Sequence, residues 1–164
     1  MRCASIAFLS LFLAACGAEG VDPNSDHGPG TGGDPEPDPG ADALTETEQE
    51  LLATINAERT SRGLSAVVLR DDLICSAQHH SLDIGEHQVC SHDDSDGSGP
   101  GERVEACGGS GWSGEIVACG QTTPRDAVDG WLGSPGHNAI MLDPDQKTIG
   151  VAMSNNYWTA IFDK

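Results

Sequence analysis

Residues 148–164 read TIGVAMSNNYWTAIFDK, and this stretch decides the fold class. Ile149, Val151 and Met153 alternate with small or polar residues, so one face of an extended segment is apolar. Trp158, Ala160 and Phe162 repeat the pattern beyond Asn155-Asn156, a pair that tolerates positive φ at a tight turn. Two such runs around such a turn predict a β-hairpin. Upstream, Thr123-Pro124 predicts a helix start, with Thr as cap and Pro at the first position. Ala127, Val128, Trp131 and Leu132 form the apolar face of that helix, and Ser134-Pro135-Gly136 ends it.

Further back, residues 85–121 hold most of the domain's glycine and read as a loop-rich middle. Before it, Asp71 or Asp72 caps a helix running to about Ile84, with Gly85 as its stop. Leu73, Ala77, Ser81 and Ile84 share one face of it. Residues 66–69, AVVL, form a short extended piece. Thr45-Glu46-Thr47-Glu48 has capping-box spacing. The helix that follows draws its apolar side from Leu44, Leu51, Leu52, Ile55 and Ala57 and stops at Gly63. Helices combined with a small antiparallel sheet and long loops predict an α+β domain over residues 44–164, layered α/β/α.

Residues 17–43 are different in kind. They carry seven acids and no Lys or Arg, most of the rest is Gly and Pro, and Val21 is the one sizeable apolar residue. Such a segment cannot bury enough surface to offset its ordering entropy, so it reads as an acidic tether. Residues 1–16 carry Arg2 near their start and continue from Ala4 to Ala15 as an apolar run broken only by Ser5 and Ser10. Twelve such residues are too few to span a bilayer but suit the core of a secretory signal peptide. The run ends Leu13-Ala14-Ala15-Cys16, which resembles a bacterial lipobox, with Cys16 as the acylated residue. Position and spacing favour this over an ordinary signal peptide with a chance cysteine. The expected location is the bacterial cell envelope, lipid-anchored and facing the periplasm or exterior, with the membrane as a partner through that anchor.

The whole chain of 164 residues has a formal net charge of −18. Residues 44–164 hold 19 Asp and Glu against 7 Lys and Arg, a formal −12. That balance argues against nucleic-acid binding, which requires a basic footprint, and against docking on anionic headgroups through a basic patch. Four cysteines remain once Cys3 and Cys16 are assigned to the leader: Cys75, Cys90, Cys107 and Cys119. In an exported chain they read as two disulfides, and three pairings are open. Cys75–Cys90 with Cys107–Cys119 is preferred because each closes a short local loop.

Several pieces match one family in chain order. INAERTSRGL and LICSAQHH resemble the opening helices of the CAP superfamily of cysteine-rich secretory, antigen 5 and pathogenesis-related proteins. CSHDDSDG resembles its first-histidine loop, GEIVACG its Gly-Glu strand, AVDGWLGSPGHNAIML its Ser-Pro-Gly-His segment, and IGVAMSNNYWTAIF its closing hairpin. The resemblance implies an α-β-α sandwich with an open cleft. It implies His92, Glu115 and His137 as the cleft residues, and binding of a divalent cation such as zinc there. Ile116, Asn138, Ile140 and Ala160 stand where relatives carry polar groups, which implies a cleft poorer in polar contacts.

Taken as chemistry, two imidazoles and a carboxylate could make a three-ligand divalent site with water in the fourth position. The other reading is that Glu115 accepts from loop amides while the histidines line a polar groove. His92-x-Asp94-x-Asp96-Gly97 imitates the start of a calcium loop, but Arg103 stands at the twelfth position, where Glu is required. It reads better as a solvated acidic turn. His79 and His80 lie mid-helix, one buried and one exposed. The leading function is a monomeric binding module for a small ligand, lipid or envelope component. The alternative is a metal-dependent hydrolase of peptides or esters with Glu115 as general base.

Overall fold

The computed structural model describes residues 44–164; the leader with Cys16 and the tether of residues 17–43 lie outside the described residues. In chain order the elements are α1 (Glu46–Ser61), β1 (Val68–Leu69), α2 (Asp71–His87), α3 (Pro100–Ala106), β2 (Gly114–Cys119), α4 (Pro124–Gly133), α5 (Pro135–Met141), β3 (Thr148–Ser154) and β4 (Tyr157–Asp163). The four strands form one sheet in the order β1-β3-β4-β2. β1 runs parallel to β3, and the other neighbours are antiparallel.

The hairpin forms as its alternation requires. Ile149 lies opposite Phe162, Val151 opposite Ala160 and Met153 opposite Trp158. Asn155 and Asn156 take φ of 52° and 66° at the turn. The apolar face so made packs with Leu51 and Ile55 of α1, Trp131 of α4 and Met141 of α5. The opposite face carries Ala152 and Ile161 against Leu73 and Ala77 of α2 and Val104 of α3. Helices therefore cover both faces of the sheet, an α-β-α sandwich. Each large aliphatic or aromatic side chain buried this way contributes roughly 1.5–3 kcal/mol.

The helices show where local pattern yields to tertiary packing. α1 starts on the expected capping box: the Thr45 N–H donates to Glu48 Oε2 at 2.8 Å, and the Glu48 N–H donates to Thr45 Oγ1 at 3.3 Å. Its buried stripe runs Leu51, Ile55, Arg59; Ala57, expected on that side, is exposed. α2 does not stop at Gly85. It continues to His87 and ends at Gln88 in the left-handed conformation, φ 55°. Gly85 instead lies against the end of β3, where a Cβ would fall 2.7 Å from the Ser154 carbonyl oxygen. Gly150 has a matching role on β3, since a Cβ there would fall 2.0 Å from the Leu73 carbonyl carbon. The loop-rich middle contains the short helix α3, begun at Pro100, with the Glu102 carboxylate accepting from the Gly99 N–H at 2.7 Å. Ser134-Pro135-Gly136 ends α4 and also begins α5, with Pro135 in the first turn.

Two side chains tie the layers together through backbone groups. Arg59 is fully buried and donates to the carbonyls of Ser65, Met141, Asp143 and Gln146 at 2.6–3.3 Å. Asn56 bonds Val67 in both directions, accepting from its N–H at 2.9 Å and donating to its carbonyl at 3.0 Å.

The disulfides are Cys75–Cys107 and Cys90–Cys119, not the local pairs expected. The helical rise explains the correction. Residues 75 to 87 of α2 alone span about 18 Å, while bridged Cα atoms lie roughly 4.4–6.8 Å apart. Cys75 and Cys90 are thus held at opposite ends of α2. Cys107, at the end of α3, sits beside Cys75; Cys119, at the far end of β2, sits beside Cys90.

Candidate functional site

The site gathers residues from five parts of the chain. His80 comes from α2, His92 and Asp94 from the loop after it, and Arg103 from α3. Glu115 comes from β2 and His137 from the first turns of α5. Strand alternation sets the key orientation. Ile116 faces the sheet core, so Glu115 faces the α2 and α3 side.

Glu115 is the hub. Its Oε1 accepts from His92 Nδ1 at 2.9 Å, and its Oε2 accepts from Arg103 Nη2 at 2.6 Å. Its side chain is only 2% exposed. Arg103, equally buried, also donates through Nη1 to Asp94 Oδ1 and to the carbonyls of His92 and Ser98 at 3.1–3.2 Å. Asp94 is further bonded to His80 Nδ1 at 2.5 Å and His79 Nδ1 at 3.1 Å. The other nitrogen of His80 meets the Ser91 carbonyl at 3.0 Å. One arginine therefore bridges two buried carboxylates, and the histidines bonded to them supply further donors, so none of these buried oxygens is left bare. The Arg103 Nε remains without a partner.

His92 and His137 meet edge to face, with ring centroids 6.3 Å apart. Their environments push their protonation in opposite directions. The Glu115 carboxylate holding its Nδ1–H raises the His92 pKa above the usual imidazole value. Burial, and then the nearby His92 charge, lower that of His137. Beside His137 lies a depression of about 320 Å³, lined in part by the Cys90–Cys119 disulfide, Val117, Gln121 and Trp131.

The expected trio is thus brought together, with Glu115 behind His92 and His137 alongside. Among the described residues, no group of three or more His, Cys, Asp or Glu side chains is arranged to hold a metal ion. The acidic turn is solvated at Asp93, Ser95 and Asp96 but not at Asp94, which is buried with its oxygens taken by His79, His80, Arg103 and Ser98. Sequence reasoning missed Arg103 as a site residue. The signal was present, because Arg103 is the residue that spoils the calcium-loop pattern. His80 is the buried member of its pair, and His79 is the exposed one.

The departures from the family pattern are absorbed by packing. Ile116 and Ala160 are register partners buried in the core, not cleft residues. Ile140 packs against Gly114, where a Cβ would fall 2.7 Å from its Cγ2. Asn138 donates to the Leu132 carbonyl at 3.0 Å and joins α5 to α4.

Comparison with known proteins agrees with this architecture. The chain is 31% identical over 118 residues to the uncharacterized protein YkwD of Bacillus subtilis, covering 70% of this chain and 46% of that one. It is 30% identical over 122 residues to the uncharacterized membrane protein YlbC of the same organism, covering 73% of this chain and 35% of that one. It therefore spans less than half the length of these curated relatives. An extracellular protein containing a SCP domain from Bacillus anthracis superposes with a TM-score of 0.67 at 24% identity, over 72% of this chain and 40% of that one. No helix among the described residues is long and apolar enough to cross a membrane. The family model for cysteine-rich secretory proteins matches residues 52–162, and with the sandwich, the hairpin and the His–Glu pair in place, the chain belongs to the CAP family.

Proposed function

We propose that this chain is an exported, lipid-anchored CAP-domain protein that acts as a monomeric binding module outside the cytoplasm, through the His92–Glu115–His137 cleft. The observation that carries the reading is the state of Glu115. Both of its oxygens are engaged, and its side chain is 2% exposed. A general base must come within hydrogen-bond reach of a substrate proton. Glu115 instead serves as a buried support that fixes the tautomer and direction of the His92 ring, in the way an outer carboxylate orients a ligating histidine. The half-exposed His92 and the neighbouring His137 then present the recognising groups.

In this reading the two imidazoles would hold a divalent cation weakly, with Glu115 behind His92 rather than beside the ion. When bound, such an ion would offer a Lewis-acidic contact for a ligand oxygen. Export is supported by the paired cysteines, which belong to oxidising compartments. It is supported too by the extracellular protein of Bacillus anthracis that shares the fold. Anchoring rests on the lipobox at Cys16. The ligand sought is a small molecule, a lipid or an envelope component.

Three measurements test this. Labelled palmitate should enter the chain and be lost in Cys16→Ser. Calorimetry should find zinc affinity in the wild type that disappears in the His92→Ala, His137→Ala double variant. A peptide and ester substrate panel should show no turnover; hydrolysis abolished by Glu115→Gln would replace this reading with an enzyme.

A further inference from the structure

β2 is the last strand in the sheet order, so one of its edges faces away from β4. The phase of the ladder says which backbone groups lie there. Gly120, one residue past the strand, donates its N–H to the Asn156 carbonyl at 2.8 Å. Antiparallel pairing alternates, so Ala118 and Ile116 also turn their groups toward β4, while Val117 and Cys119 turn theirs outward. Among the described residues, no other backbone group bonds these outward N–H and C=O groups. The depression beside His137 is lined by Val117, Ala118 and Cys119 in succession. Successive strand side chains point to opposite faces, so a hollow touching three in a row runs along the edge itself. His92, from the α2 side of the sheet, and His137, from the α5 side, meet beyond that same edge, with ring centroids 6.3 Å apart.

Proteins normally block an open strand edge. At the other side of the sheet the Asn56 amide does so, bonding Val67 as a strand would. The outer edge of β2 has no such cover, and residues 115–119 include no Pro, Lys or Arg to discourage pairing. The wall of the depression also leaves room. Gly130 lies inside α4 and lines the depression. Glycine weakens a helix interior relative to alanine. Internal packing does not demand it here, because a Cβ would meet only the Gln121 amide nitrogen, at 3.9 Å.

Charge selects the occupant. No Lys, Arg, Asp or Glu lines the depression, yet residues 44–164 carry a formal −12. A second copy would bring the same charge, and the tether of residues 17–43 is acidic as well. We propose that the outer edge of β2 binds an extended, basic peptide segment of another protein as a fifth strand, through backbone hydrogen bonds at Val117 and Cys119. Neutral residues of the segment lie over the depression, and its basic residues flank them in the field of the domain. The inference rests on the reading of the cleft as a binding site and names the class of ligand it takes.

Amide hydrogen exchange in the isotope-labelled full-length chain reads this edge residue by residue. In the free chain Ile116 and Ala118 should be protected, and Val117 and Cys119 should exchange faster. The probe is a pool of capped hexapeptides with lysine at both ends and Val, Thr, Ile or Tyr between. At roughly ten times its Kd the pool should slow exchange at Val117 and Cys119 about tenfold, with little change at Ile116 and Ala118. The same pool with glutamate ends, or with every backbone nitrogen methylated, should have no such effect. Gly130→Leu fills the depression while favouring the helix, and should weaken binding of the pool about tenfold. Equal protection of all four amides in the free chain, silence toward the lysine pool, an equal response to either control pool, or full affinity in Gly130→Leu overturns the proposal. Zinc added to the same sample separates the two readings through the ring signals of His92 and His137. A zinc response without a peptide effect overturns the added strand alone; silence toward both overturns the binding cleft as well.

Discussion

Arg59 carries a full charge into the interior with no carboxylate bonded to it; four backbone carbonyls take its place. Burial pushes its pKa below the ordinary guanidinium value, yet a guanidinium stays charged throughout the working range. It holds the connection between α5 and β3 against α1. Arg59→Met should cost about 3–5 kcal/mol, since the carbonyls lose their donors in a buried setting; the urea midpoint measures it. The cleft histidines give a second test. The fold raises the His92 pKa, so the stability His92 contributes is complete below about pH 6.5 and is lost as pH rises through its folded-state value. The fold lowers the His137 pKa, so its contribution is complete above about pH 6.5 and is lost as pH falls through its folded-state value. Ring-proton titration should therefore place His137 below His92, and the reverse order would contradict the geometry. Of these residues, His92, Glu115 and His137 were legible through family resemblance. Arg59 and Arg103 were not, because their partners come from distant segments that a local pattern does not contain.

At the scale of elements, close approach decides what sequence pattern leaves open. Gly85 looked like a helix stop, yet α2 runs through it, because the position is needed for contact with Ser154. Gly85→Ala improves helix propensity by about 1 kcal/mol. It should nonetheless destabilise the protein by a net 1–3 kcal/mol or so, as the new methyl forces β3 and α2 apart; thermal unfolding reads the sign directly. The hairpin and α1 were legible because strong local signals, alternation and a capping box, agree with the tertiary packing. The helices α3 and α5 were not, being seven residues each with few buried side chains to mark a period. The two-residue β1 is a different case. Its approach is held by the Asn56 amide, which bonds Val67 as a neighbouring strand would. Asn56→Ala should leave that edge open to pairing with a second copy, and sedimentation should show concentration-dependent association that the wild type lacks.

Across the whole molecule, the bridges organise what the sheet does not. Each joins positions about thirty apart, 32 and 29 residues in sequence. Closing loops of that size contributes about 3–4 kcal/mol apiece in the chain-entropy account. Peptide mapping without reductant should recover Cys75 linked to Cys107 and Cys90 linked to Cys119, and Cys90→Ser with Cys119→Ser should lower the melting temperature. The four cysteines were legible as a disulfide set, but the preference for local loops overlooked the rise of α2, whose expected span already separates Cys75 from Cys90. The bridges also sit at the two ends of one segment. Cys90 and Cys107 bracket His92, Asp94 and Arg103, so one staple fastens that segment to β2 and the other to α2. The compartment's redox chemistry is thereby made a condition of the site itself. A copy kept in a reducing medium would carry every one of these side chains without the clamps that hold them in register.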